Sequence, residues 1–390
     1  MWGDIAIAFS IAFVTAFMGT PYTIKLARKL GAVDTPKDKR RINKVTMPRL
    51  GGLAVIAGFV VSVIYLLIVM SIEKNINLME DNYYLKLLGF LLGGTIIGVT
   101  CFRDDVKGVS ALGKLIAQIL AASVVIISGI RIEHLQILNF TITSEVVLTL
   151  ISLGWIVGVT NAINLIDGLD GLSTGISIIS CLSLLIIFAL NGSPLISILL
   201  VTALAGSLVG FLPYNFNPAK TFIGDTGSNF LGFCLSIISI LGVAKTYTAV
   251  VIVLPLIVLA LPVYDTVFAI FRRMIKGKSV KAIMKPDANH LHHKMLKMGF
   301  SQKQAVLCLY AISAAFGMFA VILLEDGIWK ALSFGIIIIV IIAVCYKDFF
   351  KDKLVSNEYA EVVGSEPEEE KKVKKVEKTK KDKKKKSKQS

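Results

Sequence analysis

The chain has 390 residues, 55% of them hydrophobic, with a mean hydropathy of +0.73 and a formal net charge of +15. Soluble domains are about 45–50% apolar overall, whereas here runs of membrane-spanning length recur, so the composition excludes an ordinary soluble enzyme and predicts an all-α polytopic membrane protein. The charge does not indicate nucleic-acid binding: the last twenty residues hold twelve lysines, one Glu and one Asp, a net +10, with no aromatic residue among them.

Eleven spans are predicted in chain order, at 3–24, 50–72, 85–101, 111–130, 146–164, 173–190, 195–212, 228–244, 247–271, 304–324 and 327–347. Lys and Arg concentrate in the loop after the first span (Lys25 to Arg49) and in the loop after the ninth (Arg272 to Lys303). Alternate loops are short or acidic, as at Glu73–Asp81, Asn191–Pro194 and Glu325–Asp326. The positive-inside rule then predicts an N-terminus outside, a cytosolic C-terminus and an inner (plasma) membrane location. Met1-Trp2-Gly3-Asp4 lacks a basic leader, which favours a retained anchor over a cleaved signal. Cys101, Cys181, Cys234, Cys308 and Cys345 lack metal-like spacing and read as reduced packing residues. Residues 1–347 are expected to form the transmembrane domain with cytosolic active-site loops. Residues 348–390 are expected to form a disordered charged tail, either solvated or adhering to anionic membrane lipid.

With this topology, every acidic motif falls in a cytosolic loop. Asp104-Asp105 closes the third span; neighbouring helical side chains diverge by about 100°, so one is free to face a metal or substrate while the other anchors the site. A solvated helix end balanced by Arg103 and Lys107 is the plainer reading. In Asn161-Ala-Ile-Asn164-Leu-Ile-Asp167-Gly-Leu-Asp170-Gly171, polar residues recur every third position and share a helical face. Their oxygens and amides suit a sugar, a nucleobase or hydrated Mg²⁺. Asn215-Phe-Asn217-Pro-Ala-Lys220-Thr-Phe-Ile-Gly224-Asp225-Thr226-Gly227-Ser228 places Asp225 in a tight turn entering the eighth span, with Ser228 as the expected cap. Asp287-Ala-Asn289-His290-Leu-His292-His293-Lys294 gathers three of the four histidines. No Cys or outlying His completes a zinc set, so phosphate binding fits better. A Ser301-x-x-Gln304 capping box is expected to open the tenth span. Lys44 to Gly52, KVTMPRLGG, supplies Lys44 and Arg49 as phosphate contacts, although topology alone also explains those charges.

Together these motifs resemble the polyprenyl-phosphate N-acetylhexosamine-1-phosphate transferases over residues 20 to 345. The resemblance implies an eleven-span fold with a cytosolic Mg²⁺ site (Mn²⁺ as the alternative ion). It also implies transfer of a phosphosugar from a UDP-N-acetylhexosamine to undecaprenyl phosphate, with release of UMP. By motif, Asp104 would be the base for the lipid phosphate, Asp105 would help hold the site, and Asp225 with Asp105 would bind the metal. Asn164, Asp167, Asp170 and Asn215 would face the nucleotide sugar, with His290, His292, His293, Lys44 and Lys114 as further substrate contacts. PRLGG and H-x-H-H are more similar to the GlcNAc-1-phosphate branch than to the muramoyl-pentapeptide branch, which stays the alternative. The chain departs from many relatives after the Asp pair, where Lys107 and Gly108 stand in place of another acid. A homodimer is left open. A secondary transporter would carry acids at mid-span and repeated halves, and a CDP-alcohol phosphotransferase would carry a denser run of aspartates in one segment.

Overall fold

In lipid, an apolar chain can satisfy its backbone only within itself, so each apolar run is expected to be helical. The computed structural model describes residues 2–35, 46–73, 82–133, 135–137, 140–243, 249–277, 290–325 and 327–340. The helices are α1 (Trp2–Leu30), α2 (Gly52–Glu73), α3 (Tyr83–Lys107), α4 (Ala111–Ile127), α5 (Glu145–Ile166), α6 (Leu172–Leu190), α7 (Leu195–Asn215), α8 (Gly224–Val243), α9 (Ala249–Val258), α10 (Ala260–Gly277), α11 (Leu291–Lys297) and α12 (Gln302–Glu325). Two short antiparallel ladders pair β1 (Val33–Asp34) with β2 (Met47–Pro48), and β3 (Leu135–Ile137) with β4 (Phe140–Ile142). The chain divides into a body of residues 1–331 and a second unit of 332–390, of which 332–340 are described and helical. Lys44, Asp287 and the Lys-rich tail lie outside the described residues.

The protein is an all-α polytopic membrane protein. Among the described residues, α1, α2, α3, α5, α6, α7, α8 and α12 are the eight helices long and apolar enough to cross a membrane. Predicted span 111–130 falls on the 17-residue α4, and 327–347 falls on a helix described over Ile328–Val340. Predicted span 247–271 is divided at Leu259 between α9 and α10. Pro262 has no N–H for the carbonyl of Val258, so the helix breaks there. The capping box does form, with Ser301 N donating to Gln304 Oε1 (2.9 Å) and Gln304 N to Ser301 Oγ (3.3 Å).

Helix α8 is the central pillar. Every residue of its apolar window is buried, against 22% of that of α1. Small residues let its neighbours approach, as is usual where helices pack in lipid. A Cβ on Gly232 would lie 2.6 Å from Thr160 Cα on α5, and one on Gly93 of α3 would lie 2.6 Å from Phe233. Below the polar end, Phe59, Phe90, Phe230 and Phe233 form an aromatic cluster with ring centroids 5.7–6.1 Å apart.

Candidate active site

The site is assembled where helix ends meet. Met47–Gly52 runs between two other segments: Arg49 N donates to Ala32 O (3.0 Å) on one side. On the other, Phe222 N donates to Pro48 O (2.8 Å), Gly51 N to Phe222 O (3.0 Å) and Gly52 N to Ile223 O (2.8 Å). This ladder starts α2 and α8 side by side, so close that a Cβ on Gly52 would sit 2.3 Å from Gly227 Cα. Gly224 opens α8 with φ +70°, and a Cβ there would lie 1.9 Å from Arg49 O and 2.7 Å from Asp105 Oδ2. Only glycine fits this turn.

Asp105 is buried and acts as the cap of α8. Its Oδ1 accepts from Asp225 N (3.0 Å), and its Oδ2 from Thr226 N (2.8 Å) and Thr226 Oγ1 (2.6 Å), while Arg49 Nη2 stands 3.5 Å from Oδ1. Both oxygens are thus engaged in holding the turn that carries Asp225. Helix α8 also begins four residues before Ser228, so Ser228 lies inside it. Rather than capping the helix, its hydroxyl donates to Asn164 Oδ1 (2.8 Å).

Asp104, one residue away, points elsewhere. Its Oδ1 accepts from Val109 N (2.6 Å), and its Oδ2 lies 2.8 Å from Lys114 Nζ. The same ammonium is 3.1 Å from Asp225 Oδ2, and Arg49 Nη2 is 3.9 Å from that oxygen. The Asp104 and Asp225 carboxyl groups lie within hydrogen-bond reach of each other. Two abutting acids held by an ammonium from α4 make a place built for positive charge. No group of three or more His, Cys, Asp or Glu side chains poised for a metal occurs among the described residues. A hard divalent ion such as Mg²⁺ needs only one or two carboxylates when substrate phosphates complete its shell, so Asp104 and Asp225 fit such an ion.

The second cluster flanks this pair. Asp167 is half-buried and accepts from Ser173 Oγ (2.6 Å). Desolvation raises its pKa, opposed by the Ser173 bond and reinforced by the charges of Asp225 and Asp105, and it is pushed up to about 7. Two residues expected to face the nucleotide sugar turn inward instead. Asp170, buried, accepts from Asn217 Nδ2 (3.0 Å) and Ala219 N (3.2 Å). Asn215, also buried, accepts from Thr174 Oγ1 (2.7 Å) and donates to Thr221 O (3.1 Å). They tie the 167–173 and 216–223 loops together, through Asp170 Oδ2 and through both the oxygen and the nitrogen of the Asn215 amide.

The histidines complete the rim. His290 Nδ1 is 2.8 Å from Asp265 Oδ2, and Leu291 N donates to Asp265 Oδ1 (3.0 Å), so Asp265 of α10 both orients this ring and anchors α11. The other ring nitrogen, Nε2, lies 3.5 Å from Arg273 Nη2. His292 packs on the backbone of Gly168, where a Cβ would lie 2.2 Å from its Nε2. Burial, then the neighbouring His293 and His290, lower its pKa to about 3. It is therefore neutral and brings no charge to a phosphate, which narrows the expected role of the cluster. The His293 ring follows at 4.2 Å. Tyr310 of α12 donates to Gly171 O (2.5 Å), latching the Asp167 turn from the other side.

Three polar residues were not anticipated: Asp265, Gln118 and Asn229. Gln118 stands alone inside an apolar run, Asp265 is the one charge in its own, and Asn229 directly follows the Asp225–Ser228 motif; an acid or amide at that depth is itself a functional signal.

Residues 87–243 match the sequence profile of glycosyl transferase family 4. A probable undecaprenyl-phosphate N-acetylglucosaminyl 1-phosphate transferase of Bacillus subtilis is 38% identical over 342 residues, covering 87% of this chain and 89% of the relative. The chain belongs to glycosyl transferase family 4. Two further relatives also match it. A decaprenyl-phosphate N-acetylglucosaminephosphotransferase of Mycolicibacterium smegmatis is 30% identical over 371 residues, 87% of each chain. A phospho-N-acetylmuramoyl-pentapeptide-transferase of Staphylococcus epidermidis is 31% identical over 247 residues, 59% of this chain and 74% of the relative. The family 4 profile spans Asp104, Asp105, Lys114, the Asp167 loop and Asp225, while the Arg49 strand and the histidines lie outside it.

Proposed function

We propose that this family 4 transferase moves N-acetylglucosamine 1-phosphate from its UDP derivative to undecaprenyl phosphate, and that the lipid-linked product initiates a cell-envelope polysaccharide. The observation that carries the reading is the Asp104–Lys114–Asp225 cluster at the rim of an apolar bundle, in a chain whose relatives carry such names. A lipid acceptor needs a site at the bilayer surface, and a diphosphate donor needs positive charge there. The positive loops support a cytosolic site in the plasma membrane.

In this mechanism, an oxygen of the lipid phosphate attacks the sugar-bearing phosphorus, and the bond from that phosphorus to the bridging oxygen breaks. UMP leaves with the bridging electrons. Asp104 takes the proton from the lipid phosphate, and Lys114 stabilises charge on the phosphoryl oxygens. Mg²⁺, or Mn²⁺ in its place, would be held by Asp225 with Asp104 and would neutralise charge on the diphosphate. Asp105 and Arg49 hold the α8 turn in register, while Asn164 and Asp167 face the nucleotide sugar. Asp170 and Asn215 set the shape of that face without touching substrate. His290, held by Asp265, and His293 line the far side of the cleft. The charge of the Lys-rich tail would suit anionic inner-leaflet lipid, with a solvated tail as the alternative.

The test offers UDP-GlcNAc, UDP-GalNAc and UDP-MurNAc-pentapeptide separately with undecaprenyl phosphate, and scores labelled lipid and UMP. Turnover of UDP-GlcNAc is expected. Turnover of the pentapeptide donor alone would move the chain to the muramoyl branch.

A further inference from the structure

Below the acidic cluster, three carboxamides from three helices form a chain of hydrogen bonds. Asn161 Nδ2 on α5 donates to Gln118 Oε1 on α4 (2.6 Å), and Gln118 Nε2 donates to Asn229 Oδ1 on α8 (2.9 Å). Asn229 Nδ2 then donates to the backbone carbonyl of Asp225 (2.9 Å). Gln118 and Asn229 are buried, and Asn161 is half-buried and also bonded to Val157 O. Each amide lies one helical turn from a residue of the site: Gln118 from Lys114, Asn161 from Asn164, and Asn229 from Asp225. Carboxamides at this depth have little water to turn to, so their mutual bonds resist sliding or rotation of one helix past another. Tight contact of Gly232 with Thr160 brings α5 and α8 close enough for the chain to close.

We infer that Gln118, bridging Asn161 and Asn229, is a positioning residue that sets the register of α4, α5 and α8 and so the placement of Lys114 and Asp225. The inference rests on the transferase reading of the site. It explains a cost that packing alone does not: the bundle could bury Leu or Met at these positions, and it keeps amides whose chain ends on the main chain of the catalytic aspartate.

A control lies between the same α5 and α8. Trp155 Nε1 donates to Ser239 Oγ (3.0 Å), far from the cluster. In purified protein, Gln118→Met is expected to lower kcat by about tenfold or more, the scale on which outer-shell partners act. The KM for UDP-GlcNAc should stay within about threefold. Trp155→Phe is expected to lower the unfolding temperature and leave kcat unchanged. The Gln118→Met/Asn161→Ala double variant should lose no more than the larger single loss, because both break one chain. Asn161→Ala, at the half-buried end, serves if Gln118→Met does not fold. A second readout needs no turnover: Mn²⁺ alone should raise the unfolding temperature of the unmodified protein and raise that of Gln118→Met less. Unchanged kcat and an unchanged Mn²⁺ response in Gln118→Met, additive losses in the double variant, or a kcat loss in Trp155→Phe matching its stability loss would each overturn the assignment. An unmodified protein inactive with all three donors, yet with the Mn²⁺ difference intact, would sink the function and leave the positioning role standing.

Discussion

Alanine at Gly224 perturbs the site by a known distance. The residue has φ +70°, and Gly31 has nearly the same φ, +71°, but there nothing lies within 4 Å of where a methyl group would stand. Both alanines carry a left-handed cost of about 1–2 kcal/mol, so their difference isolates the contact. At Gly224 the new Cβ would meet Arg49 O at 1.9 Å, and real contacts of this kind do not fall below 3.0 Å, so a gap of at least 1.1 Å must open. The carbonyl cannot swing aside, because its strand is held by the Ala32, Phe222 and Ile223 bonds. The turn carrying Asp225 must move instead, away from Arg49 and Asp105. A misplacement of about 1 Å costs on the order of 100-fold in rate. UMP release per folded molecule, with folding checked by gel filtration in detergent, should therefore fall about 100-fold in Gly224→Ala and stay near the unmodified rate in Gly31→Ala. Equal rates in the two variants would refute the claim that this close approach sets the site.

Further outcomes follow from the same geometry. Asp104→Asn and Asp225→Ala should each reduce divalent-cation-dependent UMP release by about 10²–10³-fold; normal turnover in Asp225→Ala would remove it from the cation site. Asp167, pushed from 3.8 to about 7, keeps its proton in the folded chain while the unfolded chain has lost it. Stability should therefore fall as pH rises from about 4 to about 7 and level off above. Asp167→Asn should flatten that slope and unfold at higher temperature than the unmodified protein at pH 8, as thermal scans across pH would show. Asp265→Asn keeps the shape beside His290 but removes the charge that orients the ring, and about 10–100-fold loss of turnover is expected with little change in unfolding temperature. Unchanged turnover would make that pair purely structural.

Apolar run length announced nearly every helix, because in lipid the backbone has no other solution. It failed where a single proline decides: the ninth span reads as continuous, yet Pro262 divides it at Leu259. The acidic motifs were legible as residue types, but the direction of each side chain was not. Asp104 and Asp105 diverge as helical neighbours must, but which of them meets Lys114 and which caps α8 depends on the packed turn at Gly224. Asp170 and Asn215 sit among residues that face the cleft, and their inward hydrogen bonds depend on loops distant in sequence. Asp265 and Gln118 were hidden by apolar neighbours, and Asn229 by standing one residue past the Asp225–Ser228 motif.

The pillar α8 has one more consequence. The outer helices, α1 above all, are the surfaces that meet acyl chains and must tilt or bend when bilayer thickness changes. Helix α8 is wrapped by protein on all sides, so such strain reaches Asp225 only after crossing a full layer of packed helices. Asp225 is thereby better insulated from the surrounding lipid than Asp104 and Lys114, whose helices α3 and α4 expose Leu88, Leu92, Leu112 and Ile116, so a change of membrane thickness should reach the site through those two helices rather than through α8.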